Sequence, residues 1–433
     1  MYRKCCTAEA DVGMRYYLTG ADGTGGRIKA EPEDFIVKEI SKHLDPSGDG
    51  KFVIAEVTSR NWETNRLVRM LSRSMNISRE RIGFAGTKDK RAVTTQLMSF
   101  EIPDGTIEKA DLKDVSINNA YRAKRGIQIG DLIGNSFEIT VKDCTIPIEK
   151  ISSAIEPITA EVNSLKGFPN YFGVQRFGTT RPITHTVGER LIRGDIKGAV
   201  DVYLSKISEF EQPDAVEARK LLANRSELKE AVRTMPKTMS FEKIMAEHLI
   251  QHPGDDVGAI SMLPVNLQMM FTHAYQSYLF NVMLSKRMEA GMPLDVPAEG
   301  DVVIPVDANK TPMHERPAIV TKKNIGLVEK QVRSGKAFIT ISLFGAESVI
   351  ADGPMGEIER KVIEEERIKN EDFMIPGLPH CSSKGSRREI VCPVNDIATS
   401  VTDNGYKVRF SLPKGNYATC LLREYMKSEM TSY

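Results

Sequence analysis

The sequence is short of cysteine, nearly without net charge and free of long apolar runs, and each shortage closes off a class of protein. Six cysteines, Cys5, Cys6, Cys144, Cys381, Cys392 and Cys420, are scattered over 433 residues. That is not the density of a disulfide framework, so reduced thiols are expected. His380-Cys381 with Cys392 is the one grouping that hints at metal, but adjacent ligands and a missing fourth partner fit tetrahedral zinc poorly. The longest strongly apolar stretch, around Ser277–Leu284, carries Asn281 and is too short to span a bilayer. The N-terminus runs Met1-Tyr2-Arg3-Lys4-Cys5-Cys6 into polar and acidic residues without an apolar signal segment. A cytoplasmic protein with no membrane association is therefore expected. There is no His-Glu-x-x-His, no Walker A run and no Gly-rich loop between a strand and a helix, so no cofactor is expected. The glycines between Gly20 and Gly26 read instead as a turn into a strand.

What is present is ordinary in bulk and uneven in distribution. The hydrophobic and charged fractions, 41% and 27%, are those of a globular protein, and the length suits two or three domains. Net charge is only +1. Residues 51 to 100, however, hold ten Lys or Arg against four acids, and Arg122, Lys124 and Arg125 form a further cluster. Such local concentration is what a phosphate-binding face needs, although each cation taken alone is equally read as surface charge.

The chemistry concentrates in Gly83 to Gln96. Ile82–Ala85 and Ala92–Phe100 have the β-branched and apolar texture of strands, and the polar Gly-Thr-Lys-Asp-Lys run between them reads as a tight loop. Asp89 would stand on that loop at a sheet end, where a rigid scaffold can present an accessible side chain. Lys88, Lys90 and Arg91 surround it with positive charge, which favours the charged form of a carboxyl group. Thr64 reads as the N-cap of an amphipathic helix with Leu67, Leu71 and Met75 inward and Arg66, Arg69 and Arg73 outward. Phe35–Ile40, Phe52–Val57, Ser136–Val141 and Tyr406–Leu412 alternate as strands, and Ile151–Leu165 and Ala418–Met426 read as helices.

Between about residues 168 and 385 the texture changes. Helical stretches are expected at Thr184–Leu204, Asp214–Thr234 and Val265–Ala290, with Pro264 in the first turn of the last, followed by a region of short strands from Met292 to Leu378. No internal repeat or low-complexity tract interrupts the chain.

Several separated stretches together resemble the TruD-type tRNA pseudouridine synthases. Lys29-Ala30-Glu31-Pro32-Glu33-Asp34-Phe35-Ile36-Val37-Lys38-Glu39 is similar to the first motif of that family. Gly83 to Gln96 resembles its catalytic loop, and Gly134-Asn135-Ser136-Phe137 a Gly-Asn-x-Phe strand. Pro169-Asn170-Tyr171-Phe172-Gly173-Val174-Gln175-Arg176-Phe177-Gly178 resembles its longest signature, Gln276–Asn281 the helix that follows, and Leu412–Thr419 with Leu422-Arg423-Glu424 the closing motif. The motifs occur in the family's order across residues 29 to 424.

The resemblance implies an α+β fold. A pseudouridine synthase core with a mixed, largely antiparallel sheet, residues 1–167 and 387–433, would be interrupted by an inserted α/β domain, residues 168–386, with RNA held between them. It implies isomerisation of a uridine of tRNA, uridine 13, to pseudouridine, with tRNA as partner and no obligatory protein partner. Asp89 is the implied catalytic carboxylate and Lys29 the basic group that orients it. Phe35, Asn135, Phe137 and Tyr417 are the implied substrate contacts, Tyr417 standing where bacterial relatives often carry Phe. On composition alone the three aromatics read as packing residues and Lys29 as a surface lysine. A non-catalytic RNA-binding protein on the same scaffold is the alternative, but it has no need of Asp89 and Lys29 together. An RNA methyltransferase would need the Gly-rich cofactor loop that is missing.

Overall fold

The computed structural model describes residues 2–5, 7–42, 44–103, 105–307 and 311–433. Two compact units are formed, one from residues 21–168, 392–428 and 432–433 and one from residues 1–20, 169–391 and 429–431. They are called here the sheet unit and the helical unit.

The sheet unit is built on a nine-stranded sheet. Its spatial order is Asn395–Thr402, Gly405–Pro413, Leu132–Cys144, Phe35–Ser41, Val93–Glu101, Phe52–Arg60 and Val115–Ala123, with Gly25–Arg27 beside Leu132–Cys144 and Ile82–Phe84 beside Val93–Glu101. Every pairing is antiparallel except that of Phe35–Ser41 with Val93–Glu101, where Ile36 faces Val93. The expected mixed, largely antiparallel sheet is therefore present. Strand alternation decides what each face carries. Val37 pairs with Phe137 and Thr94, Phe137 with Phe410, and Glu39 with Asn135, so these side chains share one face with Phe35 and Gln96.

The same face is covered by helices. Helix Thr64–Ser74 buries Leu67, Val68 and Leu71, with Met75 just beyond its end, against Val53, Ala55, Val57, Met98 and Phe100. Helix Ile148–Leu165 turns Ile151, Ile155, Ile158 and Val162 inward, and its Thr159 hydroxyl meets the Tyr425 hydroxyl at 2.9 Å. Tyr425 lies on helix Ala418–Met426, which is buried along its whole length. The cap of helix Thr64–Ser74 differs from expectation. Glu63 caps it, accepting from the backbone N–H of Asn65 and Arg66 at 2.9 and 2.8 Å, while Thr64 is buried inside the first turn. A longer carboxylate side chain one residue earlier reaches the same orphan donors that a hydroxyl at the cap would satisfy.

The helical unit holds a four-stranded antiparallel sheet, Ala318–Ile319, Val302–Pro305, Ala337–Leu343 and Ser386–Glu389, beside the long helix Val265–Glu289. Pro264 sits at the cap of that helix, one position before its first turn. The stretch expected as one helix from Thr184 breaks into Thr184–Ile192 and Ile196–Ser205 at Gly194, whose φ of 71° only glycine adopts freely. The stretch from Asp214 likewise divides into Pro213–Leu222 and Leu228–Thr234. The expected short-strand region contains two helices, Ile325–Arg333 and Gly353–Glu366, the second admitting Pro354 because a first-turn proline has no N–H to leave unpaired. The unit boundaries also differ from the expected division. Strand Ser386–Glu389 is hydrogen-bonded to Ala337–Leu343, and Val12 and Gly13 accept from Asn281 Nδ2 and Ser285 Oγ at 3.0 and 2.7 Å. No helix among the described residues is long and apolar enough to cross a membrane.

Candidate active site

The single parallel pairing of the sheet explains how two distant segments meet. Parallel neighbours start at the same sheet end, so the residues before Phe35 and those before Val93 emerge side by side. Lys29 belongs to the first segment and Asp89 to the second. Lys29 Nζ lies 3.0 Å from Asp89 Oδ1, and Arg91 Nη2 donates to the Ala30 carbonyl at 2.8 Å. Among the described residues Lys29 is the one ion-pair partner of Asp89, and the Asp89 side chain remains 52% exposed.

Lys29 is held in a defined pose. Its backbone takes a left-handed φ of 56°, a sparsely occupied conformation for a non-glycine residue. The turn that follows, Pro32–Asp34, is fixed to the sheet because Lys142 Nζ meets Asp34 Oδ1 at 2.7 Å and Glu31 Oε2 at 3.2 Å. The Lys29 ammonium stands 4.2 Å above the Phe35 ring centroid, a cation–π contact. Phe35 in turn meets Phe137 edge-to-face at 6.2 Å, and Phe137 stacks on Phe410 at 5.2 Å. Lys29, Asp89, Phe35 and Phe137 thus form one connected group. Phe35 and Phe137 are buried, so their rings wall the site and do not project from it.

Asn135 sits two residues from Phe137 on the same strand and face. Among the described residues its buried side-chain oxygen finds no hydrogen-bond partner, and neither does the buried oxygen of Gln96 on the same face. An unpaired buried acceptor is costly, and its presence marks a place where a ligand donor can be received. Tyr417 caps helix Ala418–Met426 at the end of a loop that begins at Pro413. That loop is tied back to the strand Leu132–Cys144 and its approach, with Lys414 N donating to Ile133 O at 3.1 Å and Lys414 Nζ to Gly130 O at 2.8 Å. Gly130 N donates to Ala85 O at 2.8 Å, so the Tyr417 loop and the strand leading to Asp89 share one anchor.

The cations flanking Asp89 do not all act as the sequence suggests. Lys88 turns away from the loop tip and pairs with Glu39 Oε2 at 2.5 Å, both side chains almost fully buried. Arg91 is engaged with Ala30, and Lys90 is exposed. The outward arginines of helix Thr64–Ser74, Arg66, Arg69 and Arg73, are all exposed, Arg66 lying over the Trp62 ring at 5.2 Å.

A family model described as tRNA pseudouridine synthase D (TruD) matches residues 11–425. The chain belongs to the TruD family. A Methanococcoides burtonii protein named probable tRNA pseudouridine synthase D is 40% identical over 428 residues, covering 97% of each chain. A Halobacterium salinarum protein of the same name is 37% identical over 435 residues, covering 98% of each. Among solved structures, a Methanosarcina mazei protein described as a "putative tRNA pseudouridine synthase D (TruD)" superposes with a TM-score of 0.88 at 37% identity, with 100% of both chains covered.

Placed on the fold, the TruD motifs divide by role. The longest signature is scaffolding within the helical unit: Asn170 Nδ2 donates to Glu389 O at 2.9 Å, Arg388 Nη2 donates to Asn170 Oδ1 at 2.7 Å, and Phe172 N donates to Asn281 Oδ1 at 2.9 Å. Gln276 is spent likewise, donating to Phe344 O at 2.7 Å and accepting from Ser383 Oγ at 3.0 Å. Glu39, the inward carboxylate beneath the Asp89 loop, has no role assigned by the sequence. A signal for it exists: Phe35, Val37 and Glu39 alternate on one face, and a carboxylate among inward positions demands a partner.

Proposed function

We propose that the protein isomerises a uridine of tRNA, uridine 13, to pseudouridine, with Asp89 acting at ribose C1′. The observation that carries this reading is the half-exposed Asp89 carboxylate held at 3.0 Å by Lys29, at the catalytic-loop position of a TruD-family chain. The reaction breaks the N1–C1′ bond and forms a C5–C1′ bond. The C5 proton is lost and N1 gains one, so no oxidant, reductant or phosphoryl donor enters the balance. Asp89 either attacks C1′ directly or assists elimination to a glycal, and in both routes an anionic oxygen must approach the ribose. Lys29 fixes the direction of that oxygen while leaving the second one open.

The target base must leave its stack to reach such a loop. Phe35 and Phe137 supply an apolar wall for it, and the unpaired Asn135 Oδ1 is an acceptor for the uracil N3–H, a donor present both before and after isomerisation. Tyr417 extends the wall from the loop anchored at Gly130. The exposed Arg66, Arg69 and Arg73 provide phosphate contacts. The sheet unit is thus the catalytic body and the helical unit the family's inserted domain. Purified protein added to tRNA from cells lacking this gene should restore pseudouridine at position 13, and Asp89→Asn should not. Restoration at a different position would correct the substrate site, and an active Asn variant would remove Asp89 from the mechanism.

A further inference from the structure

The residue before the catalytic aspartate is clamped at both ends. Lys88 N donates to the buried Thr64 hydroxyl at 2.8 Å, and Lys88 Nζ reaches Glu39 at 2.5 Å, with the two side chains only 5% and 0% exposed. Glu39 is itself fixed by the Ser41 hydroxyl at 2.6 Å, and the Lys88 ammonium also approaches Gly86 O at 3.4 Å. Two residues after Asp89, Arg91 is tied to Ala30. Asp89 therefore stands between fixed points on a loop whose tip is exposed.

We infer that Glu39 and Lys88 are positioning residues, a buried ion pair that sets where the Asp89 carboxylate stands. The inference rests on Asp89 being the catalytic residue. Stability alone is a poor explanation for the pair. Taking two charges out of water consumes most of what their attraction returns, and well-packed apolar residues commonly serve a core as well or better. What an apolar pair cannot supply is direction. A carboxylate seated on a central strand and an ammonium at the end of a four-carbon stem fix the path of the backbone at residue 88, one residue from the reacting group. Catalysis is sensitive to displacements of about 1 Å at such a group. The pairing also keeps Lys88 away from Asp89. Were Glu39 removed, the Lys88 ammonium would seek another anion, and Asp89 is the adjacent residue. A second ammonium on the carboxylate would occupy the oxygen that Lys29 leaves open.

The test uses the full-length protein and tRNA. Lys88→Met and Glu39→Gln should lower kcat about 10- to 100-fold, the scale of a misplaced reacting group, with KM and tRNA Kd within about threefold of wild type. Lys88→Arg should recover a large part of kcat. The double variant Glu39→Leu with Lys88→Met, which leaves no unpaired charge, should melt close to wild type while kcat stays low. A kcat that recovers together with Tm in the double variant, or single variants with unchanged kcat, would overturn the inference. If the single variants do not fold, the Arg and double variants decide alone. Asp89→Asn run in parallel separates the two readings: an inactive Asn variant beside fully active Glu39 and Lys88 variants removes only the positioning role, and an active Asn variant removes the catalytic assignment beneath it.

Discussion

Each unit contains a carboxylate paired with a cation at nearly the same distance, and the two pairs do opposite work. In the helical unit Asp301 accepts from Arg287 Nη1 and Nη2 at 2.8 and 3.0 Å and from Ala298 N at 2.8 Å, with both side chains fully buried. In the sheet unit Asp89 accepts from Lys29 at 3.0 Å, keeps an oxygen without an ion partner among the described residues and is half exposed. Protein donors on both oxygens, together with complete burial, make the first pair a structural joint. Incomplete saturation leaves the second open to a ligand, as the proposed reaction requires. Lys and Arg divide along the same line: the planar fork of Arg287 fills both carboxylate oxygens, and the point charge of Lys29 holds only one.

The comparison breaks most sharply under matched substitutions. Asp89→Asn should reduce pseudouridine formation more than about 1000-fold, on the scale of removing a nucleophile, with Tm within about 2 °C of wild type. Asp301→Asn should leave activity per folded molecule intact and cost about 3 to 5 kcal/mol of stability, because Arg287 then keeps a buried charge against a neutral partner. Activity assays beside thermal melts read both. A thermally normal Asp301→Asn would show that burial and saturation do not separate the two roles.

A smaller effect is expected at Lys29. Lys29→Met keeps most of the side-chain length and loses the ammonium that pairs with Asp89 and stands over the Phe35 ring. Activity should fall about 10- to 100-fold through kcat, with tRNA affinity little changed. An unchanged kcat would mean that the loop alone places the carboxylate.

Charge on the outer surface of the sheet unit is weaker still. Replacing Arg66, Arg69 and Arg73 by Gln should weaken tRNA binding and lower the log-log salt slope by about 0.7 to 0.9 for each phosphate no longer neutralised. Activity at saturating tRNA should remain. A triple variant with unaltered affinity and slope would show that helix Thr64–Ser74 faces away from the RNA.

How much of this is legible in the sequence depends on the range of the interaction. Strand alternation marks Phe35–Ser41, Phe52–Arg60 and Gly405–Pro413 to within a few residues, since inward and outward positions are read from neighbours two apart. The stripe of Leu67, Leu71 and Met75 marks a helix in the same way. The meeting of Lys29 with Asp89 is not open to that reasoning. It depends on one parallel pairing between strands far apart in the chain, and only the family motifs point to it. Lys88 misleads for a related reason: a lysine beside an aspartate looks like its partner until the fold supplies Glu39, a stronger claim on the same ammonium. The helices Ile325–Arg333 and Gly353–Glu366 are hidden by Pro and Gly near their ends, residues that punctuate a sequence without saying on which side the helix lies.

The smallest expected effect lies at Glu63 and sharpens the contrast between holding a fold and holding a reacting group. Burial pushes the Glu63 carboxyl up, but the hydrogen bonds from the backbone N–H of Asn65 and Arg66, with help from the Asn65 side chain and the Arg69 charge, together outweigh it and leave its pKa below the ordinary 4.5. A depressed carboxyl pKa contributes stability that is present above the unfolded value and is lost as pH falls through the folded one. Glu63→Ala should therefore cost about 1 kcal/mol near pH 7, the usual worth of a helix cap, and lower Tm by roughly 2 to 4 °C. The gap between variant and wild type should begin to narrow as pH falls through the ordinary 4.5 and close once pH passes the lower folded value, where Glu63 becomes protonated and can no longer accept both N–H groups. Catalytic activity at pH 7 should change little, because Thr64 keeps its hydroxyl on Lys88 N whether or not the cap is present. Melts across pH with parallel turnover measurements check both halves. A large loss of kcat in Glu63→Ala would place the helix start, together with Glu39 and Lys88, among the groups that position Asp89.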